Sequence, residues 1–224
     1  MNANEIAWVS GWASDISIWE NRIYERFPNF SHRFVDYFDL LPNPDEFWDN
    51  NRGIGEAGLV VGWSMGTLAI LRNLHKIRKE QKLVLVCPIA DFCAKGCWQS
   101  SALRATKQGI LQNTEQTLMS FSTLMGNMEK ADREKWVENA MRYSPNQLAE
   151  GLDYLMQKAN ISELGSNVKL IFGEQDKVVP LAQKELFSDF CHKETIVVCD
   201  GLGHWLPDYF ERIFLSSPTE ATIK

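Results

Sequence analysis

The sequence predicts an α/β fold in which a mostly parallel sheet is flanked by helices. Three features predict it: six short apolar runs recur along the 224 residues, longer helical patterns alternate with them, and the runs are near-continuous in Val, Ile and Leu. Continuous runs suit strands covered by helices on both faces, and the alternation suits parallel strands joined by crossover helices. The first run is Ile6-Ala7-Trp8-Val9. A small-residue loop follows, Ser10 to Asp15, where Ser14 or Asp15 is placed to cap a helix. The second run is Phe34 to Phe38. The third, Leu59-Val60-Val61, leads straight into Gly62-Trp63-Ser64-Met65-Gly66 and then into the helical pattern Leu68, Leu71, Leu74, Ile77. Leu83 to Val86, Val168 to Phe172 and Thr195 to Val198 complete the set.

Between Pro88 and Val168 the strand signals stop. Helical spacing replaces them, as in Leu118, Phe121, Ser122 and Met125. Residues 92–162 are therefore expected to form a helical cap inserted into a core of 1–91 and 163–224. Eight basic against seven acidic residues leave the cap at +1, and the core carries the remaining −7.

Composition narrows the function. With 45% hydrophobic and 23% charged residues the chain is globular, and a net charge of −6 argues against a phosphate backbone or an anionic membrane as partner. The first twenty residues hold no Lys or Arg, so no signal peptide is expected, and no run approaches a membrane span. Five cysteines, an odd number, fit a reducing cytoplasm. Cys93 and Cys97 are spaced to share one helical face, but no second pair completes a metal site.

The chemistry concentrates in four segments. Gly62-Trp63-Ser64-Met65-Gly66 sits between a strand and a helix, where a sharp turn lifts the Ser64 hydroxyl above the sheet and small neighbours let strand and helix approach. The alternative is a glycine-rich turn with an incidental serine. A serine hydroxyl needs a base, and the base needs a carboxylate to fix its tautomer. Asp176 follows the fifth run, and His204 lies in Asp200-Gly201-Leu202-Gly203-His204-Trp205 after the sixth. Both fall at the same rim as Ser64. Asp200 is the lesser candidate for the acid, and His32, His75 and His192 are read as surface or capping residues. An oxyanion needs donors, for which the backbone N–H groups of Met65 and Trp12 are the candidates.

These segments resemble the α/β-hydrolase superfamily and, within it, the pimeloyl-acyl-carrier-protein methyl ester esterases of biotin synthesis. The likeness rests on Ser10-Gly11-Trp12-Ala13, Gly62 to Gly66, Gly173 to Pro180 and Gly203-His204, with a weaker match over Gly151 to Ile161. Two departures stand out. Ser10 replaces the usual His, and the chain starts almost at the first strong strand, so a sheet shortened at the N-terminus is expected. The resemblance implies a catalytic set of Ser64, Asp176 and His204, with Trp12 and Met65 in the oxyanion hole and no cofactor or metal. It implies a methyl-esterified dicarboxylic acyl chain, carried by acyl carrier protein and bound along Trp12, Phe121 and Met125. The acidic carrier would dock on cap residues among Arg104, Lys107, Arg133, Lys135 and Arg142 of a monomer. A general short-chain carboxylesterase or thioesterase, and a hydrolase-fold binding protein without turnover, are the rival readings.

Overall fold

A computed structural model describes residues 2–41, 43–50, 52–126, 128–161, 164–191 and 195–214. The described strands are β1 (Asn2–Val9), β2 (Ser31–Val35), β3 (Ala57–Trp63), β4 (Lys82–Val86), β5 (Val168–Gly173) and β6 (Ile196–Cys199). The described α-helices are α1 (Glu20–Arg26), α2 (Tyr37–Leu40), α3 (Phe47–Asn50), α4 (Met65–Arg72), α5 (Ser100–Gln112), α6 (Thr114–Ser122), α7 (Lys130–Ala140) and α8 (Pro145–Leu155).

All six strands run parallel in the order β2-β1-β3-β4-β5-β6. The registers Ala7↔Val60, Val60↔Leu83 and Leu83↔Val168 carry an apolar row across the middle of the sheet. Ala7, Val60 and Leu83 are buried there. The flanking strands β2 and β6 are more exposed, as edges allow. Strand order reverses between β1 and β3, whose neighbours lie on opposite sides. A crevice opens beyond their carboxyl ends. The loop after β1 and the turn after β3 both empty into it.

Two element boundaries differ from the sequence reading. The run Phe34 to Phe38 is strand only as far as Val35. Asp36 ends it, because its carboxyl joins a capping box with Asp39 and takes hydrogen bonds from Ser17, turning the chain into α2. The helix after Ser64 stops at Arg72, short of Leu74 and Ile77, where the Asn73 side chain donates back to the Ala69 carbonyl at 2.9 Å and a 3-10 turn, Leu74–Lys76, follows.

Helices α5 to α8 lie between β4 and β5 in the chain. Their neck is stitched by Ala159 N–H to the Ala90 carbonyl at 2.8 Å and by a Lys158–Asp91 ion pair at 2.8 Å. The expected boundary at 162/163 falls outside the described residues. Gln183, fully buried in the 3-10 segment Leu181–Phe187, braces the same neck: its Oε1 accepts from Ala90 N–H at 3.0 Å and its Nε2 donates to the Asp91 carbonyl. Among the described residues no helix is long and apolar enough to cross a membrane.

Candidate active site

Ser64 stands between β3 and α4 at φ 54°, ψ −122°, a conformation costing a non-glycine residue on the order of 1–3 kcal/mol. Its surroundings hold it there. Ser64 N–H donates to the Val86 carbonyl at 3.0 Å, and its own carbonyl accepts from the Thr67 N–H at 2.8 Å and hydroxyl at 2.6 Å. Thr67 Oγ1 in turn accepts from Ile89 N–H at 2.9 Å. Nothing in the sequence marks this buried threonine, since it is one position in an apolar helix.

His204 reaches Ser64 from the loop after β6: Nε2 lies 2.9 Å from the Ser64 Oγ, and Nδ1 lies 2.7 Å from Asp176 Oδ2. The other carboxyl oxygen of Asp176 accepts the N–H groups of Val178 at 2.8 Å and Val179 at 2.7 Å, so the acid also closes its own turn. His204 is tied at both backbone ends. Its N–H donates to the Met125 carbonyl at 2.9 Å, and its carbonyl accepts from Trp63 Nε1 at 3.0 Å. Tyr209 donates to the Gly203 carbonyl beside it. All three side chains are buried, which shields their interactions from water. The lesser acid candidate, Asp200, is exposed at the end of β6.

The loop after β1 abuts the nucleophile: a Cβ built on Gly11 would come 3.1 Å from the Ser64 Cβ. Neither the Trp12 nor the Met65 N–H donates to an acceptor among the described residues, which suits groups reserved for a ligand. Ser10 closes this loop by accepting the Ile16 N–H at 2.9 Å. Neither candidate cap residue caps. Asp15 precedes a 3-10 turn, Ile16–Trp19, without a cap bond, and the Ser14 hydroxyl donates to the Trp12 carbonyl at 3.0 Å.

A family profile described as "Alpha/beta hydrolase family" matches residues 19–221. The chain belongs to that family. No curated protein matches it, but solved structures do. The esterase EaEST from Exiguobacterium antarcticum superposes with a TM-score of 0.75 at 12% identity, covering 93% of this chain and 90% of that one. A thermophilic esterase from Thermogutta terrifontis gives 0.67 at 15% identity, with 93% and 84% covered. The esterase RhEst1 from a Rhodococcus species gives 0.67 at 16%, with 95% and 90% covered. Identities this low establish a shared fold.

Above Ser64 this alpha/beta hydrolase has a narrow apolar pocket lined by Trp12, Trp63, Phe92, Leu103, Phe121 and Met125, among others. Its free space amounts to about one water molecule. The three residues read as substrate-binding are thus brought together. Trp12 and Phe121 meet edge to face at 5.0 Å, and the Trp12 Nε1 donates to the Leu148 carbonyl at 2.8 Å. Met125 is not on a helix as its spacing suggested. Helix α6 ends at Ser122, and Met125 lies in the following loop, where its carbonyl takes the His204 N–H.

The five basic residues expected to receive a carrier protein are partly engaged elsewhere. Lys107 pairs with Asp153, Lys135 donates to the Ile18 carbonyl, and Arg142 lies 3.5 Å from Asp15. Arg104 is exposed and bonds Ser100, while Arg133 keeps its Nε buried with no hydrogen-bond partner among the described residues.

Other sequence candidates resolve differently. His32 is half-buried among Trp8, Tyr24 and Phe27, accepting Trp8 Nε1 at 3.2 Å on Nδ1, with Nε2 3.1 Å from the Phe27 carbonyl. It is a packed structural histidine rather than a surface or capping one. His75 lies in the 3-10 turn after α4, and His192 is outside the described residues. Cys93 and Cys97 sit in turns and not on a helix: the Asp91 carboxyl accepts the Cys93 N–H, and Gln183 Nε2 donates to the Cys97 Sγ from the 3-10 segment Leu181–Phe187. Sequence reasoning passed over Cys87, fully buried at φ 50°, whose Sγ lies within 4.8 Å of ligand atoms of Asp176 and His204. Burial and the Asp176 charge push its thiol pKa well up, so it is an uncharged wall beside the acid.

Proposed function

We propose that this alpha/beta hydrolase cleaves carboxylic esters with an apolar acyl part. The observation that carries the reading is the unbroken chain from Asp176 Oδ2 through His204 to the Ser64 hydroxyl, at 2.7 and 2.9 Å. In the proposed reaction His204 Nε2 removes the Ser64 proton as Oγ attacks the ester carbonyl. The negative oxygen is received by the Met65 and Trp12 N–H groups. The alcohol leaves with the proton from His204, and water repeats the sequence to release the acid. Asp176 holds Nδ1–H and offsets the charge of the imidazolium. No step needs a metal.

The finer proposal is a methyl ester at the end of a dicarboxylic chain borne by acyl carrier protein. The resemblance in the segments around Trp12 and Ser64 supports it, as does a pocket lining that suits methylenes. A general short-chain esterase is the second reading, and the pocket's small free volume favours it. Replacement Ser64→Ala tests the common chemistry: turnover of p-nitrophenyl butyrate and labelling by a fluorophosphonate probe should both vanish while the fold persists. Undiminished turnover overturns the reading. Comparing a dicarboxylyl methyl ester on acyl carrier protein with the same ester free in solution separates the finer proposals, because equal rates exclude carrier dependence.

A further inference from the structure

Asp15 is buried at 4% exposure, yet it neither touches Ser64 nor caps the turn it precedes. Its carboxyl accepts the Tyr37 N–H at 3.1 Å, Asn139 Nδ2 at 2.9 Å and the Tyr143 hydroxyl. Its own N–H donates to Asn139 Oδ1 at 3.1 Å, so the two side chains make a reciprocal pair. One position earlier, Trp136 Nε1 donates to the Ser14 hydroxyl at 2.7 Å, and that hydroxyl holds the Trp12 carbonyl. Trp136 and Asn139 lie on α7, and Tyr143 just beyond it. The cap thus grips the loop after β1 at two consecutive residues.

The grip has something to hold. Ala13 sits at φ 55°, a conformation an alanine leaves unless its neighbours are fixed, and it separates Trp12 from the clamped pair Ser14-Asp15. The nearest cation, Arg142, is 71% exposed at 3.5 Å, too solvated to anchor the carboxyl by charge. The fixed donors do that. Tyr143 stays protonated because burial and the adjacent Asp15 raise its pKa, which keeps it a donor.

We propose that Asp15 is a positioning residue that sets the Trp12 N–H of the oxyanion hole, and that Asn139 and Tyr143 of the cap hold Asp15 in place. The hole is then completed by the cap and not by the sheet alone. This rests on the ester-hydrolase reading above.

The test compares wild type with Asn139→Ala and the shape-preserving Tyr143→Phe. Asn73→Ala, which removes the side-chain bond to Ala69 at the far end of α4, serves as a stability control. Each is assayed for kcat and KM on p-nitrophenyl butyrate, and for inhibition by an apolar trifluoromethyl ketone against the unfluorinated ketone. The fluorinated compound forms an oxyanion on the serine, and the other is a ground-state ligand. Displacing a donor predicts a kcat loss on the order of 10- to 100-fold in the clamp variants. Trifluoromethyl ketone binding weakens in step, while KM and plain ketone binding stay within about threefold. Asn73→Ala loses stability and keeps kcat. Unchanged kcat and ketone affinity in both clamp variants overturn the proposal, and so does a loss that simply tracks stability across all three. Turnover surviving in Ser64→Ala is a separate failure, that of the esterase reading itself.

Discussion

A Cβ built on Gly66 would lie 2.4 Å from the carbonyl oxygen of Ser10 and 2.5 Å from that of Val9, so the second residue of α4 is pressed against the end of β1. The neighbours are backbone and cannot rotate away. Met65 precedes Gly66 and Trp12 lies two residues after Ser10, so the contact bears on where both N–H groups sit. Their placement therefore depends on a missing methyl group.

Gly66→Ala should push the loop after β1 away from the nucleophile. A displacement near 1 Å predicts a kcat loss on the order of 10²-fold. Steady-state kinetics on p-nitrophenyl butyrate check this, with circular dichroism to show that the sheet persists. Retained kcat would show that the loop yields without moving its donor.

Asp176 has two tasks that one substitution separates. In Asp176→Asn the amide oxygen still accepts the Val178 and Val179 N–H groups, so the turn survives, while the amide nitrogen faces His204 Nδ1. The imidazole then turns its proton toward Ser64, the wrong tautomer for a base. A fall in kcat on the order of 10³- to 10⁴-fold is expected with little change in thermal midpoint. A small kcat effect would assign the acid's role to another carboxyl.

Much of this was legible in the sequence, for identifiable reasons. A serine between two glycines after a Val-rich run declares a strand-turn-helix because the close approach of Gly66 to β1 excludes larger residues. Asp176 and His204 were placed by following strands to their carboxyl ends. What was hidden depends on contacts between distant segments. Asp15 looks like an N-cap in a local window, and only the fold brings Asn139, 124 residues later, to its carboxyl. His32 looked like a surface residue beside Arg33, but its ring completes a hydrogen bond to Trp8 on the neighbouring strand. Phe38 continued an apolar run that Asp36 had already ended.

Burial holds the His32 pKa below its ordinary value, against a weaker opposing pull from the Phe27 carbonyl. The unfolded chain therefore binds the proton more readily. The contribution of this residue to stability is complete above pH about 6.5 and is lost as pH falls below that, until the folded form also protonates. Protonation also removes the acceptor for Trp8 Nε1. Asp36 and Asp208, whose pKa values burial raises, act in the opposite sense, so the comparison must be with a variant. The drop in urea midpoint between pH 7.5 and 5.5, round values either side of the ordinary histidine range of about 6.5, should be smaller in His32→Gln than in wild type. An equal drop would remove His32 as its source.

Phe121 separates pocket size from chemistry. Its ring meets Trp12 at 5.0 Å and stacks near Trp136 at 6.1 Å, filling the space above Ser64 without touching the hydrogen-bonded chain. Truncation in Phe121→Ala should cost on the order of 1–3 kcal/mol, less than for a fully buried ring because this one is half-buried. The freed space adjoins the serine, so the rate on octanoyl esters should rise relative to acetyl esters. A p-nitrophenyl ester series in acyl length measures the shift. An unchanged profile would mean that the acyl chain leaves the serine along another wall, with Leu103 and Leu152 the next to truncate.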